Sequence, residues 1–211
     1  MEYKRFPLGA LWTNGYLFWD DETRDAFFID PGGKTKDVTK FLSAHDLNLK
    51  MVLLTHGHID HIAGVHEFVP FVGDNIYIGK NDAAMLKNPS HQLQALLGVN
   101  CNGLDEFKTV EEGRVIEFPG YKIKVMETPG HTEGSVCYLI EDKNGHKILV
   151  SGDTLFAQSV GRTDLEGGDS LKLENSLRRL AELSDGLHVL PGHGPDTSIG
   201  EERELNPYWP R

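Results

Sequence analysis

Apolar positions change their period several times along the chain, and each change marks an element. Residues 8–19 and 26–29 read as strands on either side of the polar turn Asp20-Asp21-Glu22-Thr23-Arg24. Pro31-Gly32-Gly33 breaks that pattern. Val38, Phe41, Leu42 and His45 then recur at helical spacing and predict an amphipathic helix over 35–45. The short run Met51-Val52-Leu53-Leu54 has the length of a buried strand and leads directly into a histidine-rich segment. Further on, Tyr121, Ile123 and Val125 alternate with Lys122, Lys124 and Met126, the period of two of a half-exposed strand. Residues 136–141 and 146–151 flank Asn144-Gly145, a strong hairpin signal. Leu173, Leu177 and Leu180 form a helical stripe with Asp169 as N-cap and Gly186 as stop, and His188-Val189-Leu190 is a last short strand. Between these regular parts, 81–113 mixes short helical pieces with Asn, Gly and Pro and reads as a surface insertion or lid. The pattern predicts a mixed α/β fold in one domain over 1–211.

Composition narrows the function classes. A chain of 211 residues suits one substantial domain and is short for two. The longest uninterrupted apolar run, 136–140, spans five residues, against the roughly 20 of a membrane helix. The start, Met1-Glu2-Tyr3-Lys4-Arg5, lacks the apolar stretch of a secretory signal. With 21 basic against 32 acidic residues the net charge is −11, a field that repels polyanions, so nucleic acid is an unsuitable partner. Cys101 and Cys137 form no C-x-x-C pair, and a reducing cytoplasm fits this usage.

The chemistry concentrates in Thr55-His56-Gly57-His58-Ile59-Asp60-His61. Alternate side chains of an extended stretch point the same way, so His56 and His58 share one focus. A turn into helix near Asp60 brings Asp60 and His61 to a neighbouring focus. Imidazole and carboxylate are ligands of zinc and other borderline divalent metals. The alternative, a polar surface loop rich in histidine, sits poorly with four donors in six positions behind a buried strand. Three later segments repeat the placement of a ligand type beside glycine after a strand: Gly130-His131, Gly152-Asp153 and Gly192-His193. Together they make seven candidate ligands: His56, His58, Asp60, His61, His131, Asp153 and His193.

This ordered set resembles the metallo-β-lactamase fold superfamily over nearly the whole chain. The resemblance implies an αββα four-layer sandwich of two mixed β-sheets. It also implies two divalent metal ions, zinc in the first instance with iron or manganese as alternatives. His56, His58 and His131 would hold one metal, Asp60, His61 and His193 the other, and Asp153 would bridge. Thr132-Glu133-Gly134-Ser135, Leu155-Phe156 and Val160-Gly161-Arg162-Thr163-Asp164 further resemble the glyoxalase II-like hydrolases. The ending Pro191-Gly192-His193-Gly194-Pro195 with Asn206-Pro207-Tyr208 resembles their small single-domain bacterial members.

Two adjacent divalent cations lower the pKa of a shared water from 15.7 towards about 7. The resemblance therefore implies hydrolysis of a small anionic thioester such as S-2-hydroxyacylglutathione. Asp60, as ligand and hydrogen-bond acceptor, is the candidate for orienting the nucleophile. Arg162 occupies the place where the resemblance puts contact with the anionic end of the substrate, against the simpler reading of a solvated surface arginine. Asp30, ending an early strand, is the candidate for orienting a ligating imidazole, against the simpler reading of a turn carboxylate before Pro31. Two rival readings stand beside this one: a mononuclear-iron persulfide dioxygenase, which also shows a Gly-Arg-Thr-Asp segment, and a non-catalytic metal-binding module.

Overall fold

Two mixed β-sheets organise the chain, one in each of two compact units, in a computed structural model that describes residues 1–210. In the first unit, Met1–Val110, β1 (Glu2–Leu8), β2 (Thr13–Trp19) and β3 (Asp25–Ile29) form an antiparallel meander. β4 (Asn48–Leu53), β5 (Ile76–Gly79) and β6 (Lys108–Val110) then add parallel to β3, in the spatial order β1-β2-β3-β4-β5-β6. Helix α1 (Lys36–Ala44) carries the chain from β3 to β4. The short α2 (Ile59–Ile62) and α3 (Val69–Val72) join β4 to β5, and α4 (Ala83–Lys87) and α5 (His91–Leu97) join β5 to β6. Strands β2 and β3 are buried along nearly their whole length, as inner strands covered on both faces are. Leu17, Phe28, Val38, Leu42, Val52, Ile62 and Phe68 belong to the core of this unit.

Two expectations change here. Residues 8–19 are not one strand: β1 and β2 are separated by a turn in which Gly9 and Trp12 take left-handed backbone, φ 67° and 57°. The apolar run Leu8 to Trp12 masks that reversal. β1 itself carries Glu2, Lys4 and Arg5 and lies at the sheet edge, where charge is favoured and periodicity is weak. Nor is 81–113 wholly a surface insertion. Leu86, Cys101 and Leu104 are buried in the core, and β6 pairs with β5. Only α5 among its helices buries no residue.

The second unit begins at Glu111. Its meander of β7 (Val115–Phe118), β8 (Tyr121–Glu127), β9 (Val136–Asp142) and β10 (Lys147–Gly152) is antiparallel throughout. A small hairpin, β11 (Leu155–Phe156) with β12 (Ser159–Val160), stands apart from the sheet. Helix α6 (Ser170–Leu180) presents Leu173, Leu177 and Leu180 to the core, and the Asp169 side chain caps it by accepting from the Leu171 and Lys172 amides. It stops at Leu180, well before Gly186. β13 (His188–Pro191) adds parallel to β10, and β14 (Thr197–Ser198) closes the edge ahead of α7 (Ile199–Leu205). These last two elements were not predicted, because β14 has two residues and α7 buries only Ile199 and Glu202. Among the described residues no helix is long and apolar enough to cross a membrane.

Candidate metal centre

In the first unit the donors follow from where β4 ends. Ile29 of β3 pairs with Leu53 of β4, so Asp30 and the segment after Leu53 leave the sheet side by side at its carboxyl edge, where open α/β sheets collect their sites. The chain stays extended through His58, which is the N-cap of α2 with φ −68° and ψ 145°. Asp60 and His61 then fall in the first helical turn. The outcome is a cluster: the His56 ring lies 4.8 Å from His58 and 4.1 Å from His61, centroid to centroid. All three imidazoles are buried. His61 Nε2 lies 3.6 Å from Asp60 Oδ2, and the Thr13 hydroxyl donates to that same oxygen at 3.3 Å.

Asp30 sits behind this cluster. Buried and held at φ 53°, its carboxylate accepts from the Thr55 amide at 2.8 Å and the Thr55 hydroxyl at 2.6 Å, and lies 2.9 Å from His61 Nδ1. A carboxylate can only accept, so Nδ1 of His61 carries the proton and Nε2 turns towards Asp60. Thr55 passes the constraint on, its hydroxyl 3.1 Å from His56 Nδ1. Gly57 allows the passage: a Cβ there would meet Met85 Cβ at 2.6 Å. Its amide donates to the buried Asp82 carboxylate at 2.8 Å. Thr55 and Asp82 were not singled out from the sequence. Thr55 adjoins the motif and was within reach, whereas Asp82 is 25 residues from its partner and carries no local signal.

In the second unit, Gly152 of β10 pairs with Pro191 of β13 across a register shift, and the Gly192 amide donates to Gly152 O at 2.8 Å. That pairing brings Asp153 and His193 together. Asp153 Oδ2 lies 3.5 Å from His131 Nε2 and 3.6 Å from His193 Nε2. His131 Nδ1 lies 2.7 Å from the Arg162 carbonyl; a carbonyl only accepts, so this nitrogen is the donor and Nε2 points to Asp153.

The donor spacings fit a metal. Four ligands at about 2.1 Å around a tetrahedral zinc stand about 3.4 Å from one another. The Asp60–His61 separation of 3.6 Å in the first unit and the Asp153–His131 and Asp153–His193 separations of 3.5 and 3.6 Å in the second match that edge. Oriented imidazoles backed by carboxylate or carbonyl are also the usual support of metal ligands.

The Arg162 side chain is placed differently from its carbonyl. Exposed, its guanidinium bonds fork-to-fork with Asp164 at 2.7 and 2.6 Å, which holds the Asp164 carboxyl down at about 2. It borders a groove of about 550 Å³ with Val160, Leu173, Leu177, Glu174 and Tyr208. Neither cysteine offers a thiolate: burial pushes both thiols up to about 11. Of the remaining histidines, His45 caps α1, His66 lies 3.0 Å from the Gly103 carbonyl, and His146 sits beside Asp142. His188 is only partly buried and lies 3.4 Å from Asp196.

Comparison with known proteins is consistent across sequence and structure. The family model described as the metallo-beta-lactamase superfamily matches residues 9–193. A hydroxyacylglutathione hydrolase, GloC, of Haemophilus influenzae is 34% identical over 99% of this chain and 98% of its own. The crystal structure of BLEG-1 B3 metallo-beta-lactamase is similar at 32% identity and TM-score 0.88, covering 98% of this chain and 99% of that one. TTHA1623 in a di-iron-bound form is similar at 33% identity and TM-score 0.84, covering 97% and 99%.

Proposed function

This chain belongs to the metallo-beta-lactamase superfamily of metal-dependent hydrolases, and from that premise we propose that it hydrolyses small anionic thioesters such as S-2-hydroxyacylglutathione. The observation that carries the reading is the donor set: Asp60 lies 3.6 Å from His61 in the first unit, and Asp153 lies 3.5 Å from His131 and 3.6 Å from His193 in the second. The 34% identity to a hydroxyacylglutathione hydrolase supports the thioester class. We read the chain as one catalytic domain that binds two metal ions, zinc first. His56, His58 and His131 hold one, Asp60, His61 and His193 the other, and Asp153 serves both. The buried, free thiols of Cys101 and Cys137 suit a reducing cytoplasm.

When bound, such a metal pair supplies Lewis acidity and a water acidified towards neutral pH. The chain's residues do the rest. Asp30 and the Arg162 carbonyl fix the tautomers of His61 and His131, so that both present Nε2. The Asp60 carboxylate, whose Oδ2 accepts from the Thr13 hydroxyl, would accept a hydrogen bond from the attacking water and orient it. Arg162 meets the anionic end of the substrate. A thiolate leaves without a strong general acid, since its conjugate thiol ionises near 8.5.

The test is a panel of thioesters, a β-lactam and glutathione persulfide, with metals quantified on the same sample. Thioester hydrolysis with about two metals per chain is the expected result. Oxygen uptake with the persulfide and no hydrolysis would establish the iron dioxygenase instead. Uptake of metal without turnover of any substrate would leave a binding module. Within the expected outcome, Asp60→Asn should lower kcat by 10²-fold or more, the scale of a positioned acid–base group, while the chain still takes up metal.

A further inference from the structure

The C-terminal helix α7 carries a buried carboxylate that the hydrolytic reading leaves without a task. Glu202 is fully buried. Its carboxylate accepts from the Gln158 amide at 2.8 Å, the Thr197 hydroxyl at 2.5 Å and Asn206 Nδ2 at 2.7 Å. Asn206 spends its second amide hydrogen on the Ser159 carbonyl at 3.0 Å. Both side chains therefore grip one object, the tip of the β11–β12 hairpin. That tip needs gripping, because Gln158 takes left-handed backbone at φ 56°, a conformation that non-glycine residues avoid.

The hairpin connects to every ligand of its unit. It begins two residues after Asp153, and the Ser151 hydroxyl bonds its first residue at Leu155 O, 2.7 Å. The Phe156 ring lies edge-on to the His193 ring, 6.0 Å between centroids. At its far end, β12 delivers Gly161 and Arg162. The Arg162 carbonyl orients His131, and Gly161 packs so closely that an added Cβ would stand 1.8 Å from Asp153 O and 3.1 Å from His131 Nδ1. A shift of the hairpin tip is thus transmitted to a ligand at each end and a ligand on its flank.

We propose that Glu202 and Asn206 are positioning residues for the His131–Asp153–His193 half of the metal centre, acting through the β11–β12 hairpin and the Arg162 carbonyl. The inference rests on the metal-binding reading above. It assigns to α7 and its C-cap a role in metal affinity. Glu202→Gln preserves the arrangement: its carbonyl oxygen accepts from Gln158 and Asn206, and its amide donates to the Thr197 hydroxyl. Glu202→Ala and Asn206→Ala cut the grip.

The experiment compares wild type, E202A, E202Q, N206A and the remote core variant L42A by chelator competition with Zn(II), at a temperature where circular dichroism shows each folded. Co(II) absorption spectra report ligand geometry on the same proteins. E202A and N206A should weaken Zn(II) binding 10- to 100-fold, at both sites since His131 and His193 serve different ions and Asp153 serves both, the range for lost support behind a ligand, and alter the Co(II) spectrum. E202Q should stay within about threefold of wild type on the same scale. L42A should lower the melting temperature without moving affinity or spectrum. Unchanged affinity in folded N206A and E202A, or equal damage in E202Q and E202A, overturns the inference while leaving the hydrolase standing. If E202A does not fold, N206A and E202Q decide between the same outcomes. A wild-type chain that takes up no metal overturns both readings.

Discussion

Arg162 shows how one residue can act twice, through its carbonyl on His131 and through its guanidinium at the surface. The guanidinium is already matched by Asp164, so under the proposed function a substrate carboxylate would share or displace that partner. Arg162→Ala should raise KM for an anionic thioester several-fold and leave a neutral ester nearly unaffected, since its backbone carbonyl remains. Asp164→Ala should act in the opposite sense and lower that KM. The pH dependence follows from the sign of the shift. Asp164 is depressed in the folded chain to about 2 by the hydrogen bonds from Arg162, so the pair is intact above that value and is lost only as pH falls through it. The KM ratio between R162A and wild type should stay flat from pH 5 to 9, the span between ordinary carboxylate and lysine ionisation. Steady-state kinetics on paired charged and neutral substrates measures all three.

At the scale of elements, α1 illustrates the difference between the two faces of one helix. Val38 and Leu42 are buried in the core of the first unit, while Lys40 is exposed beside Asp37 at 3.7 Å. Leu42→Ala should cost about 2–4 kcal/mol, the lost transfer energy plus a cavity. Lys40→Ala should stay within about 0.5 kcal/mol, because an exposed ion pair contributes little. Denaturant melts of the two variants check the contrast. The same reasoning explains what was legible in these elements. The stripe of Val38 and Leu42, the alternation of β8 and the Asn144-Gly145 hairpin are local patterns, and each produced the element expected. β1, β6, β14 and α7 are short or charged, and take their form from a neighbour's hydrogen bonds. β6, for instance, exists because Tyr77, Ile78 and Gly79 of β5 offer it a parallel edge, a partner about 30 residues away that no window of sequence contains.

For the molecule as a whole, metal and stability are linked. Anything that binds the folded chain and not the unfolded one stabilises it by about 2.7 kcal/mol at a hundredfold excess over its dissociation constant. Chelator treatment should therefore lower the melting temperature by several degrees, given about 2–4 °C per kcal/mol for a chain of this size. Zn(II) added back should restore it. A melting curve indifferent to chelator and to added metal would contradict a metal centre built into the fold.

The kinds and order of the donors were readable in the chain alone, because H-x-H-x-D-H and the three glycine-flanked ligands depend on short spacings and turn chemistry that residue identity dictates. So was the α/β class, since hydrophobic period is a local property. The support behind the donors was readable only in part. Asp30 announced itself as a carboxylate ending a strand, but that its partners are His61 and Thr55 follows from the parallel pairing of β3 with β4. The Arg162 carbonyl, the Asp82 contact to Gly57 and the Glu202–Asn206 grip on the hairpin carry no signature in the chain. They are backbone or buried polar partners separated by 25 to 47 residues, and packing in three dimensions chooses them, because a buried polar group must find its hydrogen bond wherever the fold happens to place one.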